Sequence, residues 1–516
     1  MTKFLTRNTI KMNLTLEQIQ DFKGKYPRQI WSLFFSEMWE RFCFYGMRGM
    51  LTFFMVYELL MKKDDAQLQY GATQAFVYAF TFVGGLFADK ILGFRKSLFW
   101  GGLLMIVGSL ILAIDPHQFF FLGISFTVVG TGFFKPNISS MVGQLYKSND
   151  NRTDAGFSLF YAGINIGALI GGYVCIAVGK GDMFSSFIPE DKRWNFAFGF
   201  AALVMIISLV NFIFTQRSLG PIGLQPQKLN SDGIYQPLEK WKEYGTYILT
   251  LVLVPVIMKM VSVPEYTDYF MWTIGPLTLL YLFYEMSKVT PAERNKLWAA
   301  LVFIVFSILF WGIYEQSGGS LSIFAAEHLD KKLLFFNADP NGINNSGGAF
   351  FVIIFAFVFS FIWLWLSKRK MEPNTIIKFG LGFIFLGLGY YVLFATKFFA
   401  TLQGITSLNI FTIALLVITF GELCLSPIGL SIMTKLSTEK LQGMMMGMWF
   451  LASAYGQYVA GIIGANMASA KEGATNYEKL ITYTEGYKML GIYALVAGLV
   501  LILISPFVKK LMQEVH

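Results

Sequence analysis

From residue 30 onward the chain is a succession of apolar runs, each close to the roughly 20 residues that a helix needs to cross a ~30 Å hydrocarbon layer. They fall near 30–60, 69–89, 97–114, 119–146, 155–178 and 195–215, then near 244–262 and 266–286. Six more follow near 297–326, 348–367, 375–397, 408–434, 441–468 and 487–508. In lipid every backbone polar group must be satisfied inside the protein, so such runs fold as helices. Composition agrees. With 55% hydrophobic and 14% charged residues, a 516-residue chain has too little polar surface to stay in water. The expected fold is an all-α polytopic membrane protein of fourteen transmembrane helices, six plus two plus six.

Polar stretches set the expected boundaries. Residues 1–28 are basic and polar, without the apolar core of a cleavable signal, and read as a cytosolic tail. Residues 29–216 form a first six-helix bundle. Residues 217–295 form a linker, marked by Pro221, Pro226, Gly233 and Pro237, that carries the inserted pair of helices; residues 296–516 form the second bundle. With the N-terminus inside, Lys and Arg in cytoplasmic segments outnumber those in the opposite loops by roughly two to one, as the positive-inside rule expects. Both termini are therefore expected in the cytoplasm, and topology accounts for the +9 net charge without a nucleic-acid partner. Cys43, Cys175 and Cys424 each sit alone in an apolar run, and His117, His328 and His516 are scattered. Neither a disulfide, a metal site nor a cofactor is expected.

Two six-span halves around a midpoint linker are an architecture that many secondary transporters use to enclose a central cavity. The turn after the second run reads Gly84-Gly85-Leu86-Phe87-Ala88-Asp89-Lys90-Ile91-Leu92-Gly93-Phe94-Arg95-Lys96. Its small residues permit a tight turn, and Asp89 could accept from Arg95 or from a helix N-terminus. It resembles the signature loop of the major facilitator superfamily.

Ionisable residues inside spans are costly and point to function. The first span carries Glu37, Glu40, Arg41, Tyr45 and Arg48, which share one helical face. A static ion-pair knot would need fewer charges, whereas a carboxylate pair beside an arginine can take up and release a proton. The fourth span places Lys135 beside the helix-breaking Pro136, too deep to reach an interface easily. The fifth aligns Tyr161 and Asn165 one turn apart. In the second half Trp311 and Glu315 lie one turn apart, as do Glu422 and Ser426, and Trp449 and Phe450 beside Gly447 are candidate walls of a side-chain pocket. Bases in the first half (Arg41, Arg48, Lys135) thus face acids in the second (Glu315, Glu422). A cavity divided in this way suits a zwitterion of some length. Its carboxylate would lie towards Arg48 and Lys135 and its ammonium towards Glu422, with Tyr45, Tyr78 and Asn165 free to bond amides between them.

Taken together, Glu37-x-x-Glu40-Arg41-Phe42-x-x-Tyr45-Gly46, Lys135-Pro136, Phe160-Tyr161-x-x-Ile164-Asn165-x-Gly167 and Gly421-Glu422-Leu423-x-x-Ser426-Pro427 resemble the proton-dependent oligopeptide transporter family, over nearly the whole chain. The resemblance implies symport of di- and tripeptides with protons by alternating access of two bundles. It assigns proton coupling to Glu37, Glu40, Arg41 and Glu315, the peptide carboxylate to Arg48 and Lys135, its amino terminus to Glu422 and its backbone to Asn165. Glu315 stands where the family has an acid that pairs with a first-span arginine, so an Arg48–Glu315 gate bridge is expected. Animal members carry a proton-linked His in the second span, which has none here. Nor is there room between Lys397 and Leu408 for their large extracellular domain. The inserted helix pair is the prokaryotic arrangement, which implies a cell inner membrane, lipid neighbours and a monomer as the transport unit. The alternatives are a facilitator for a non-peptide substrate such as nitrate or a drug, and a peptide sensor without net transport. A membrane enzyme would need a nucleophile with an oriented base or a metal set, and the sequence displays neither.

Overall fold

The computed structural model describes residues 14–147, 150, 152–229, 235–237, 239–425, 429–437, 441–468 and 473–513. Six long helices come first: α1 (Gln29–Tyr57), α2 (Lys63–Phe87), α3 (Phe94–Ile114), α4 (Phe120–Gln144), α5 (Thr153–Lys180) and α6 (Arg193–Thr215). A pair follows, α7 (Lys240–Ser262) and α8 (Pro264–Met286). The last six are α9 (Pro291–Tyr314), α10 (Pro340–Lys368), α11 (Thr375–Ala395), α12 (Leu408–Leu425), α13 (Gln442–Ala468) and α14 (Asn476–Met512). Among the described residues, 10 helices are long and apolar enough to cross a membrane by length and composition. The remaining long helices, α1, α4, α8 and α13, are of similar length but more polar, because they carry residues such as Glu37, Lys135, Asp268 and Gln457. Large apolar side chains such as Phe357, Phe361 and Leu503 stand exposed on the outer faces, as suits helices surrounded by hydrocarbon rather than water. This is a multi-pass membrane protein.

Helices begin at their caps rather than at the first apolar residue. Thr290 and Glu293 form a capping box ahead of α9, with Pro291 at its first position. Asp339 accepts from the Gly342 amide at 2.7 Å and Pro340 opens α10, so this helix starts well before the apolar run near 348. A Thr475–Glu478 capping box likewise starts α14 ahead of residue 487.

One expected continuous run is broken. The 297–326 span ends at Tyr314; Glu315 caps it, and a short helix, Ser320–His328, follows a turn. Gly318 in that turn has no room for a side chain, since a methyl there would lie 2.0 Å from the Tyr70 hydroxyl. Of the 408–434 run, Leu408–Leu425 (α12) and Gly429–Leu436 are helical, and residues 426–428 lie outside the described residues. Part of the linker is ordered as a small hairpin, β1 (Gln227–Leu229) antiparallel to β2 (Tyr235–Pro237). In the signature turn, Ala88–Leu92 winds as a π-helical turn ending at Gly93, whose φ of 75° favours glycine. Arg95 donates to the carbonyls of Ile222 at 2.7 Å and Gly220 at 2.6 Å, and thereby clasps the linker rather than Asp89.

Within the first half α1 packs on α5 and α6, and α3 on α4 and α6. Within the second, α11 packs on α12 and α14, and α9 on α13 and α14. The halves meet along two helix pairs, α2 with α13 and α5 with α10. The α2–α13 crossing is closest at Gly71 and Gly461, where a methyl on Gly71 would lie 2.7 Å from the Gly461 Cα. The α7–α8 pair lies against this seam. Lys96 of α3 meets Glu243 of α7 at 2.7 Å, Gln69 of α2 donates to the Ser262 carbonyl, and Tyr458 of α13 donates to Asp268 of α8 at 2.5 Å.

Candidate functional site

A cavity of about 230 Å³ lies between the halves, walled by α1, α2 and α5 on one side and by α9, α10 and α12 on the other. Tyr45, Arg48, Tyr78, Tyr161, Asn165, Trp311, Glu315 and Glu422 all line it. The sequence placed these eight on five separate runs; the fold brings them to one chamber.

The charges inside it are already engaged. Arg48 of α1 bonds the Glu315 carboxylate, and its Nε donates to the Tyr70 hydroxyl at 2.8 Å. This bridge forms because α9 stops at Tyr314: the helical break turns Glu315 towards α1, while Tyr314, one residue earlier, donates to Glu422 at 2.5 Å. Tyr161 comes to the same Glu422 carboxylate from α5. A half-buried carboxylate between two phenols is held in place without being paired to a cation, which leaves it able to take an ammonium. Asn165 spends its amide N–H on the Tyr161 carbonyl at 2.9 Å, and its amide oxygen remains able to accept.

Glu37, Glu40 and Arg41 lie outside the cavity walls. They form a separate triad, 2%, 0% and 2% exposed, sealed where α5 closes on α1. Arg41 Nε is 2.9 Å from Glu37 and 2.5 Å from Glu40. One arginine thus faces two carboxylates, so within the triad the acids outnumber the base. Lys135 is the next charge within its field, and its ammonium stands 4.4 Å from the Tyr78 ring centroid, which links the triad to the cavity wall. Trp449 is buried in the apolar core of the second half and is not among the walls, and Ser426 lies outside the described residues.

Sequence reasoning overlooked Tyr70, Tyr314, Asn344 and Asn345. Tyr70 is eight residues before Tyr78, slightly over two turns, so helical periodicity could have found it. Asn344 and Asn345 line the cavity from the first turns of α10 and were hidden because residues 340–347 read as a loop; Asp339-Pro340 was the signal of the true start.

Direct polar links between the halves cluster at the end where α1 finishes. Thr52 donates to the Gly318 carbonyl, Tyr57 and Lys63 reach Glu327 at 2.8 and 2.6 Å, and Lys180 bonds Asp339 and Asn341. Lys331 and Asp182 add an exposed pair at 3.4 Å. The cavity is therefore laced shut at this end.

The chain is similar to known proteins along most of its length. Residues 95–480 match the sequence profile of the POT family. A peptide transporter of Yersinia enterocolitica is 31% identical over 511 residues, spanning 95% of this chain and 96% of its own. A di-/tripeptide transporter of Lactococcus lactis subsp. cremoris is 30% identical over 519 residues, with 95% and 97% covered. The crystal structure of a peptide transporter in complex with alafosfalin superposes with a TM-score of 0.78 at 30% identity, covering 97% of this chain and 100% of that one. Another, of a transporter in complex with 5-aminolevulinic acid, gives a TM-score of 0.78 at 30% identity, with 96% and 100% covered.

Proposed function

The chain belongs to the POT family, and we infer from that membership and from its charged cavity that it is a proton-coupled symporter importing di- and tripeptides by alternating access. One observation carries the reading: within a single cavity, Glu422 held by tyrosines stands on one side and the Arg48–Glu315 bridge on the other. A peptide in its zwitterionic form has one charge for each. Its ammonium goes to Glu422, and its carboxylate to Arg48 and Lys135. Tyr45, Tyr78, Tyr161 and Asn165 bond the amide between them, Trp311 flanks it, and Ser426, one turn from Glu422 in sequence, supports the amino end.

The proton enters the same cycle at two places. Glu37 and Glu40 share one around Arg41. Glu315, when protonated, loses its hold on Arg48 and leaves it to the peptide carboxylate. Proton and peptide then loosen the same joint from two sides, which is what coupling requires. The proton also draws on the membrane potential, worth about 2.3 kcal/mol per charge per 100 mV.

All fourteen long helices cross the inner membrane in this reading, with both termini cytoplasmic, lipid around the outer faces and a monomer as the working unit. The tail covers 1–28, the bundles 29–216 and 296–516, and the linker with its helix pair 217–295. The laced end is then extracytoplasmic, and the captured state faces inward. The test is uptake of labelled dialanine into proteoliposomes under an imposed pH gradient. Competition by trialanine, and none by free alanine or glucose, is the expected outcome; a vesicle that accumulates no dialanine under the gradient defeats the reading.

A further inference from the structure

Two neighbouring glycines on α10 meet quite different surroundings. At Gly347 a methyl would lie 3.0 Å from Leu415 Cδ1, so this glycine exists for the packing of α10 on α12. At Gly348 a methyl would find its nearest neighbours at 3.9 Å, the Thr419 hydroxyl, and 4.0 Å, the Tyr314 hydroxyl. Nothing presses on Gly348. It faces the cavity, and its missing side chain leaves a recess in the cavity wall.

Around that recess the wall turns apolar. Val352 lies one turn beyond Gly348 on α10, and Leu415 and Ile418 face it from α12, with the Thr419 hydroxyl turned back onto its own helix at the Leu415 carbonyl. Val352 is 2% exposed, Leu415 5% and Ile418 6%, so packing against their neighbours fixes these side chains at the cavity wall. Ile418, Thr419 and Glu422 follow one another along one face of α12, within one turn, about 5.4 Å. The other surroundings of Glu422, Tyr314 and Tyr161, are polar and already committed to its carboxylate. An apolar recess therefore opens within a helical turn of the group that takes the ammonium.

We propose that Gly348, with Val352, Leu415 and Ile418, forms the pocket for the first side chain of the peptide, and that Gly348 sets the size that side chain can have. The inference rests on the peptide reading and on Glu422 as the ammonium anchor. Its physical basis is short range: the first Cβ is two bonds from the ammonium, so the first side chain must leave within reach of whatever surrounds Glu422. The second Cα lies about 3.8 Å beyond the first along the chain, and its side chain departs from the opposite face of an extended backbone. The pocket takes aliphatic groups of moderate size, and it distinguishes sequence order in a dipeptide.

Order is what the experiment reads. Four dipeptides are compared in proteoliposomes: Leu-Ala with Gly-Ala, and Ala-Leu with Ala-Gly. In Gly348→Val the ratio of Leu-Ala to Gly-Ala uptake is expected to fall about tenfold, the lower end of what a few methylenes decide in an apolar pocket. The ratio of Ala-Leu to Ala-Gly should shift by less than about twofold on the same scale. Val352→Ala enlarges the same recess and should move the first ratio the other way for Phe-Ala, which covers the case of a poorly folded valine variant. Equal losses for Leu-Ala and Ala-Leu in Gly348→Val, or unchanged ratios in both variants, overturn the pocket while leaving peptide transport intact. A wild-type protein that carries none of the four overturns the peptide reading, and the pocket with it.

Discussion

Helix α1 carries two buried charge clusters seven residues apart, and they are built in opposite ways. The Glu37–Glu40–Arg41 triad is closed within one helix: its partners share a backbone and keep their spacing whatever the halves do. The Arg48–Glu315 bridge joins α1 to the residue that ends α9, so it exists only while the halves stand close at that end. A cluster of the first kind can hold a proton through the whole cycle but cannot report the position of the other half. One of the second kind reports position and is lost when its acid is protonated. In the proposed cycle these two clusters, on one helix, would divide the storing of a proton from the sensing of it.

The comparison breaks most clearly at the triad. Glu40→Gln should abolish accumulation driven by the pH gradient while leaving peptide counterflow, because exchange needs binding and reorientation but no net proton movement. Accumulation that survives in both Glu37→Gln and Glu40→Gln would place the stored proton elsewhere. Next in size is the bridge. Arg48→Ala leaves Glu315 buried without its partner, at a cost of about 3–5 kcal/mol. Thermal unfolding in detergent should register that loss, and adding Glu315→Gln should restore much of it; a double variant no more stable than the single would show the pair to be uncoupled. Cysteines placed near Tyr57 and Glu327, in a background lacking Cys43, Cys175 and Cys424, sharpen the same point. Cross-linking there should weaken on lowering the pH and in Glu315→Gln. Indifference to both would leave Glu315 as a wall residue.

A smaller effect belongs to the ammonium anchor. N-acetylation of the peptide should weaken binding by about 1.5–3 kcal/mol, the worth of a charged hydrogen bond. Glu422→Gln should weaken the free peptide and discriminate less against the acetylated one, and equal losses for both ligands would remove Glu422 from the amino end. Smallest of all is the exposed Lys331–Asp182 pair at the laced end. Lys331→Ala should leave the melting temperature unchanged within error, since a solvated pair gains little. A clear drop would mean that this rim pair, and not only the buried bridge, holds the halves.

How much of this was legible beforehand follows from what sequence patterns record. Apolar runs fix helices and their order, so the long helices appear near their expected positions. Motifs on single runs mark candidate residues, and eight of them line the cavity. Partnerships across runs leave no such mark. That Arg95 clasps Gly220 and Ile222 depends on where the linker returns, and that Tyr314 serves Glu422 depends on a helix ending one residue later. Trp449 shows the converse: an aromatic beside a glycine suits a pocket wall and a packed core equally well, and only the fold chooses between them.

The Gly71–Gly461 crossing has a mechanical corollary. Helices touching there at backbone distance can swivel but cannot part without losing that contact, so the crossing acts as a fulcrum. Along α2 it sits roughly 12 Å from the laced end and roughly 24 Å from the other, at 1.5 Å per residue. The lever is therefore unequal. A given swivel displaces the far end about twice as much as the laced one and in the opposite sense, so a slight opening of the laced end becomes a larger closing on the opposite face.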